Sequence, residues 1–172
     1  MGSGDLITAL LEYDGKSISI LSEARTRYRQ NANFIEDLIA LLTGPDSNLS
    51  DGASWILKME LEEGAPLSSD QTDLLMSSLN GIVSWQAILH ILQLTSYLKL
   101  TDLQAKEMIE WAENFTQQKK PFLRAWSYHT IIIWGRQYPA FARKAEKALE
   151  KALADPAASV RARARQLSPS PQ

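Results

Sequence analysis

Apolar residues recur along the chain at intervals of three and four, the spacing that lines one face of an α-helix, and capping residues, glycines and prolines punctuate the stretches between. Phe34, Leu38, Leu41 and Leu42 form one such stripe. Gly44-Pro45 closes it with a glycine suited to a left-handed cap and a proline that cannot continue a helix. Trp55, Ile56 and Met59 mark a second helix over 51–62 that stops before Gly64 and Pro66. Ser68 with Gln71, and Thr101 with Gln104, each fit a capping box, so helices are predicted to start there. Pro121, Pro139 and Pro156 precede helix formers and read as entries, with Asp155 supplying a capping carboxylate. The helix from Phe141 carries Ala145, Ala148, Leu149 and Ala152 on one face, and the last carries Val160, Ala164 and Leu167. Ile131-Ile132-Ile133 in isolation would suit a strand, but it continues a stripe through Phe122, Ala125 and Trp126 and is predicted helical.

Composition agrees. Only eight glycines and seven prolines occur in 172 residues, too few for a turn-dense β-sandwich or barrel. A hydrophobic share of 45% with 22% charged residues suits one domain with its own core, expected over 5–167, and a disordered polar tail over 168–172. The absence of cysteine removes disulfides, thiolate metal sites and cysteine nucleophiles. The opening Met1-Gly2-Ser3-Gly4-Asp5 lacks the features of a signal peptide, and a cytoplasmic location is the expectation. The most apolar stretch, Ile82 to Leu100, is interrupted by Ser84, Gln86, His90, Gln93, Ser96 and Lys99 and reads as a buried helix, with no membrane role.

The net charge of −2 hides an asymmetry. Between Glu36 and Asp73 nine acids face Lys58 alone, whereas from Lys119 to Arg165 eleven bases face Glu146, Glu150 and Asp155. An elongated fold would keep the two fields apart; a compact one would blur them within a Debye length of about 8 Å.

Short first helices alternate with longer second ones, and the second helices line up at Ser17-Ile18, Gly52-Ala53, Trp85-Gln86, Leu123-Arg124 and Val160-Arg161, at intervals of about 33 to 38 residues. Stacked helical repeats give such intervals, and so does an antiparallel bundle with similar loops. The run Asp155-Pro156-Ala157-Ala158-Ser159-Val160-Arg161-Ala162-Arg163-Ala164 resembles a HEAT repeat, whose turn and second helix commonly read Asp-Pro, then Val-Arg, then Ala. Pro121 with Leu123-Arg124 matches in part; Trp85-Gln86 lacks the arginine, and Gly52-Ala53 lacks both features. The resemblance implies an all-α, right-handed α-α superhelix of four to five stacked antiparallel helix pairs. In that family Asp155 and Pro156 would shape the turn, and Val160 and Arg161 would start the second helix. Such solenoids usually serve as protein-binding surfaces, although fold alone assigns no activity.

Catalytic signatures are sparse. His90 and His129 both fall in second helices and, with a carboxylate, would make a metal site, but no ligand spacing supports one; hydrogen-bonded or surface histidines are the plainer reading. Glu110 with Glu113 and Glu62 with Glu63 are ordinary pairs on solvated helix faces. No serine elbow, phosphate-cradling glycine loop or dinucleotide fingerprint occurs. No enzyme activity and no cofactor or metal is therefore expected. The five tryptophans, Trp55, Trp85, Trp111, Trp126 and Trp134, are mostly expected in the core, and any left exposed on second helices are candidate hot spots. The expectation is a non-catalytic scaffold or adaptor that binds another protein on its second-helix face through Trp85, Arg124, Trp126 and Arg161. The alternative is a small HEAT-like nucleic-acid-binding protein, related to DNA repair, whose basic half tracks phosphates. Matching acidic and basic ends also leave open a head-to-tail homo-oligomer.

Overall fold

The structure, a computed structural model, describes residues 3–168, whose regular elements are all helices, with no strand among them. They divide into two compact units, one ending at Lys99 and one beginning at Leu100. The first contains α1 (Ser3–Leu11), α2 (Ile18–Tyr28), α3 (Phe34–Leu41), α4 (Ser47–Glu62), α5 (Ser69–Ser78) and α6 (Trp85–Leu94). The second contains α7 (Asp102–Glu113), α8 (Pro121–Gln137), α9 (Ala142–Leu153) and α10 (Ala158–Leu167). Residues 169–172, most of the expected tail, lie outside the described residues.

Local signals set most boundaries. Both capping boxes form: Ser68 and Thr101 each accept from the amide three residues on, while Gln71 and Gln104 accept from the cap amides. Pro121 is the first residue of α8, and Pro139 opens a 3₁₀ turn that leads into α9. Three expectations need correction. Helix α4 starts at Ser47, four residues earlier than 51, because the Asp46 carboxylate accepts from the amides of Asn48 and Leu49. Gly44 does not take the left-handed conformation; Gly64 does, with φ +92°, closing α4 in a Schellman turn in which Ala65 N–H donates to Glu60 C=O and Gly64 N–H to Leu61 C=O. The helix predicted over Ile82 to Leu100 is shorter, since α6 ends at Leu94 and passes into the 3₁₀ turn Thr95–Tyr97.

Each unit is organised around one long helix. In the first, α4 packs against α1, α2, α3 and α6, and buries Ala53, Ile56, Leu57 and Leu61. Gly52 permits this crowding: a Cβ there would stand 3.0 Å from Leu21 Cδ2 and 3.4 Å from Leu10 Cδ2. In the second, α8 packs against α7, α9 and α10 and buries Leu123, Ile131, Ile132 and Trp134. A Cβ on Gly135 would meet Ala145 Cβ at 2.9 Å and Phe141 O at 3.1 Å, so the glycine lets the start of α9 lie directly on α8.

Within each unit, polar contacts between successive helix pairs join residues one pair-length apart. In the first, Arg25 reaches Glu60, Gln71 reaches Glu36 and Ser54 meets His90, at separations of 35 to 36 residues. In the second, Arg124 reaches Asp155, Lys144 reaches Glu113 and Arg136 Nη1 donates to Leu167 C=O, each 31 residues apart, and Tyr138 donates to Leu100 C=O across 38. Second helices also pack on second helices, α2 on α4 on α6 and α8 on α10.

Candidate partner-binding face

On α8, Arg124, Tyr128 and Ile131 share one face, while Phe122, Trp126 and His129 look elsewhere, because helix positions two apart point about 200° apart. The two faces do different things.

The Arg124 face looks inward. Its Nε and Nη2 donate to the two carboxylate oxygens of Asp155, both at 2.8 Å, and its Nη1 donates to the carbonyls of Gln118 and Lys119. This two-pronged pairing is the strong geometry for a guanidinium. Arg161 repeats the second half of that arrangement, with its Nη1 donating to the carbonyls of Asp155 and Pro156, again six and five residues back. Asp155 is buried and also accepts from the amide of Ala157. Arg124 beside it holds its carboxyl below the ordinary carboxylate value, with the Ala157 amide acting the same way. Arg124 and Arg161 thus meet at a single turn, where the carboxylate of Asp155 serves one and its backbone carbonyl the other. Helix α10 begins at Ala158 with Ala157 as its cap residue, so Asp155 shapes the turn from two residues outside.

The Trp126 face opens on solvent. The Arg163 guanidinium lies over the Trp126 ring, 3.7 Å from its centroid, and the His129 ring stands against the other part of the indole at 4.9 Å. Phe122, Ala125, Trp126, Ser159, Ala162, Arg163 and Gln166 enclose a groove of about 240 Å³ between α8 and α10, at whose mouth Phe122 is 61% exposed. His129 Nδ1 is buried with no hydrogen-bond partner; burial, then the charge of Arg163, lowers its pKa to about 4. A neutral imidazole follows.

Trp85 belongs to the first unit, at the start of α6, and is 41% exposed. Just beyond it the buried Asp51 carboxylate accepts from Ser84 Oγ and from the Ala87 amide at 3.2 Å, fixing that helix start on α4. His90 Nδ1 stands 2.8 Å from Ser54 Oγ. Since the Ser54 hydroxyl already donates to Asp51 C=O, the imidazole N–H donates to Ser54. Burial, then the charge of Lys58, lowers His90 to about 4. Of the other tryptophans, Trp111 and Trp134 are buried and Trp55 is half-buried. Among the described residues no group of three or more histidines and carboxylates is arranged to hold a metal ion, and no helix is long and apolar enough to cross a membrane.

Phe122 and Arg163 join Trp126 as functional candidates of this face. Arg163 points to the opposite side of α10 from Arg161 and Arg165, which share a face, and nothing in the sequence says which side meets Trp126. Comparisons of the chain with models of known families, with curated proteins and with solved structures find no match.

Proposed function

We propose that this protein is a non-catalytic interaction scaffold, a HEAT-like right-handed solenoid that holds a partner protein on its second-helix face. The repeated staple, in which Arg124 and Arg161 each close the turn before their own helix, supports the HEAT-like reading, as do polar contacts one pair-length apart. A cytoplasmic location belongs to the same proposal.

The observation that carries the functional reading is the groove between α8 and α10. It places an exposed phenyl ring, a half-buried indole and a guanidinium clamped on that indole around one concavity. Tryptophan and arginine dominate binding hot spots, and an arginine already held over a ring loses little freedom when a partner arrives. The docking residues in this proposal are Trp126, Phe122 and Arg163, with Trp85 a further exposed aromatic on the first unit. Arg124 and Arg161 support the face from behind.

The test is affinity capture, then titration of each purified candidate partner against wild type, Phe122→Glu and Arg143→Glu. Phe122→Glu should weaken the specific partner at least tenfold with helicity unchanged, and Arg143→Glu, outside the groove, should not. A partner that binds all three equally would refute this face.

A further inference from the structure

On the opposite face of α8 lie two hollows, of about 250 and 480 Å³, that share Thr116, Tyr128 and Lys151 in their walls. Lys147 lines the first and Lys119 the second. The carboxylates that reach these walls are already neutralised: Glu113 by Lys144 at 2.8 Å and Asp155 by Arg124 at 2.8 Å. Lys119, Lys147 and Lys151 have no ion-pair partner among the described residues. Three cations are therefore left facing one continuous depression.

A second observation is independent of that charge. Tyr128 is only 5% exposed, lines both hollows, and its hydroxyl has no hydrogen-bond partner among the described residues. Among the described residues the sealed side-chain atoms without a partner lie at Glu36 and His129, so the Tyr128 hydroxyl itself reaches the solvent of the hollows and is free to meet a ligand. Burial and the nearby Asp155 raise the Tyr128 pKa, so the group stays a neutral donor on the wall that both hollows share with Lys151.

We propose that this groove binds an extended acidic peptide segment, with its carboxylates on Lys119, Lys147 and Lys151 and one of them accepting the hydroxyl hydrogen of Tyr128. Lys147 and Lys151 stand one helical turn apart, with Cβ atoms about 5–6 Å apart. An extended chain repeats its same-side residues every two positions, about 6.6–6.8 Å, so carboxylates at alternate positions match that spacing. A nucleic-acid strand fits less well. Glu146 and Glu150 sit among the lysines of α9 and repel a continuous phosphate track, and the covered Tyr128 ring offers no face on which a base would stack. The site stands apart from the α8–α10 groove, and either holds without the other.

The test uses the full chain and a fluorescein-labelled decapeptide of alternating glutamate and serine, followed by fluorescence anisotropy. The peptide should bind more weakly as salt rises. Lys147→Glu with Lys151→Glu should weaken it at least tenfold without changing thermal melting. Tyr128→Phe should weaken it severalfold and leave melting unchanged, because the hydroxyl has no internal partner to lose. Phe122→Glu, on the other face, should bind as wild type does. Failure of the peptide to bind, undiminished binding by the lysine double variant, or tighter binding of a ten-residue oligothymidylate would each overturn the proposal.

Discussion

Arg25 in α2 and Arg124 in α8 each reach from the second helix of one pair to a buried carboxylate of the next, but they leave different things behind when removed. Arg25 Nε donates to Glu60 at 2.6 Å and its other nitrogens to the exposed Glu63, while Arg29 also reaches Glu60 at 3.3 Å. The Arg25 pair raises the guanidinium pKa through Glu63 and Glu60, and the carboxylates keep a second cation nearby. Asp155 has Arg124 alone as its close ion pair among the described residues, and Arg124 also closes its own turn. The first unit shares its load across a cluster; the second concentrates it in one side chain.

The sharpest way to break that contrast is by substitution. Arg124→Ala should cost about 3–5 kcal/mol by strong-denaturant unfolding, since it strands a buried carboxylate and two carbonyls. Arg25→Ala should cost about 1–3 kcal/mol, because Glu60 keeps Arg29. Equal losses would erase the distinction. The Asp155 contribution has a pH signature as well: its carboxyl is held low, so its stabilisation is present above the ordinary carboxylate range and is lost as pH falls through the lowered pKa. In Arg124→Ala that acid loss should begin at higher pH.

The two histidines sharpen the comparison next. Both fold neutral with pKa lowered to about 4 from 6.5, so each contributes stability that is present above pH 6.5 and declines toward pH 4 by about 1.4 kcal/mol per pH unit. Their environments differ. His90 is hydrogen-bonded to Ser54, whereas the buried Nδ1 of His129 has no partner. His129→Leu should flatten the acid limb and add about 1 kcal/mol at pH 7, while His90→Leu should flatten it and cost stability at pH 7. Urea melts at pH 7 and pH 5 separate these outcomes.

The smallest expected difference concerns the two packed glycines. Ala at Gly135 meets Ala145 Cβ and the Phe141 carbonyl, neither of which can swing away, and should cost about 1–3 kcal/mol. Ala at Gly52 meets the ends of two leucine side chains, and the gain in helix propensity, about 1 kcal/mol, should bring it close to neutral. Thermal melts of the two variants measure this directly.

Caps were legible because they act over three residues: Ser68 with Gln71 and Thr101 with Gln104 sit in the chain as they sit in the fold. The start of α4 precedes the expected 51–62 because its first turn, Ser47-Asn48, carries no apolar residue to extend the stripe, although an aspartate before Ser47 is itself a cap signal. Gly44 and Gly64 look alike in sequence, and only the backbone path beyond α4 selects the second for positive φ. The site was less legible than the helices. Charge marks Arg124 as available, whereas its donors are used by carbonyls five and six residues back and by a carboxylate 31 residues on. The placing of Arg163 over Trp126 depends on how α8 and α10 pack, which no local pattern encodes.

The clasp of Arg124 on Asp155 also acts as a ruler. Each residue added to or removed from α9 would move everything after it by about 1.5 Å and turn it by about 100°, carrying the aspartate out of reach of a guanidinium fixed by its own turn. The connection between α4 and α5, bridged by Gly64 and lined mostly by exposed residues, can take up added residues as loop without turning α5, so the Gln71–Glu36 contact across it is less exacting. Insertions should therefore survive in that connection and be purged between 125 and 154, so variation in chain length among descendants of this protein should be written almost entirely on the first unit.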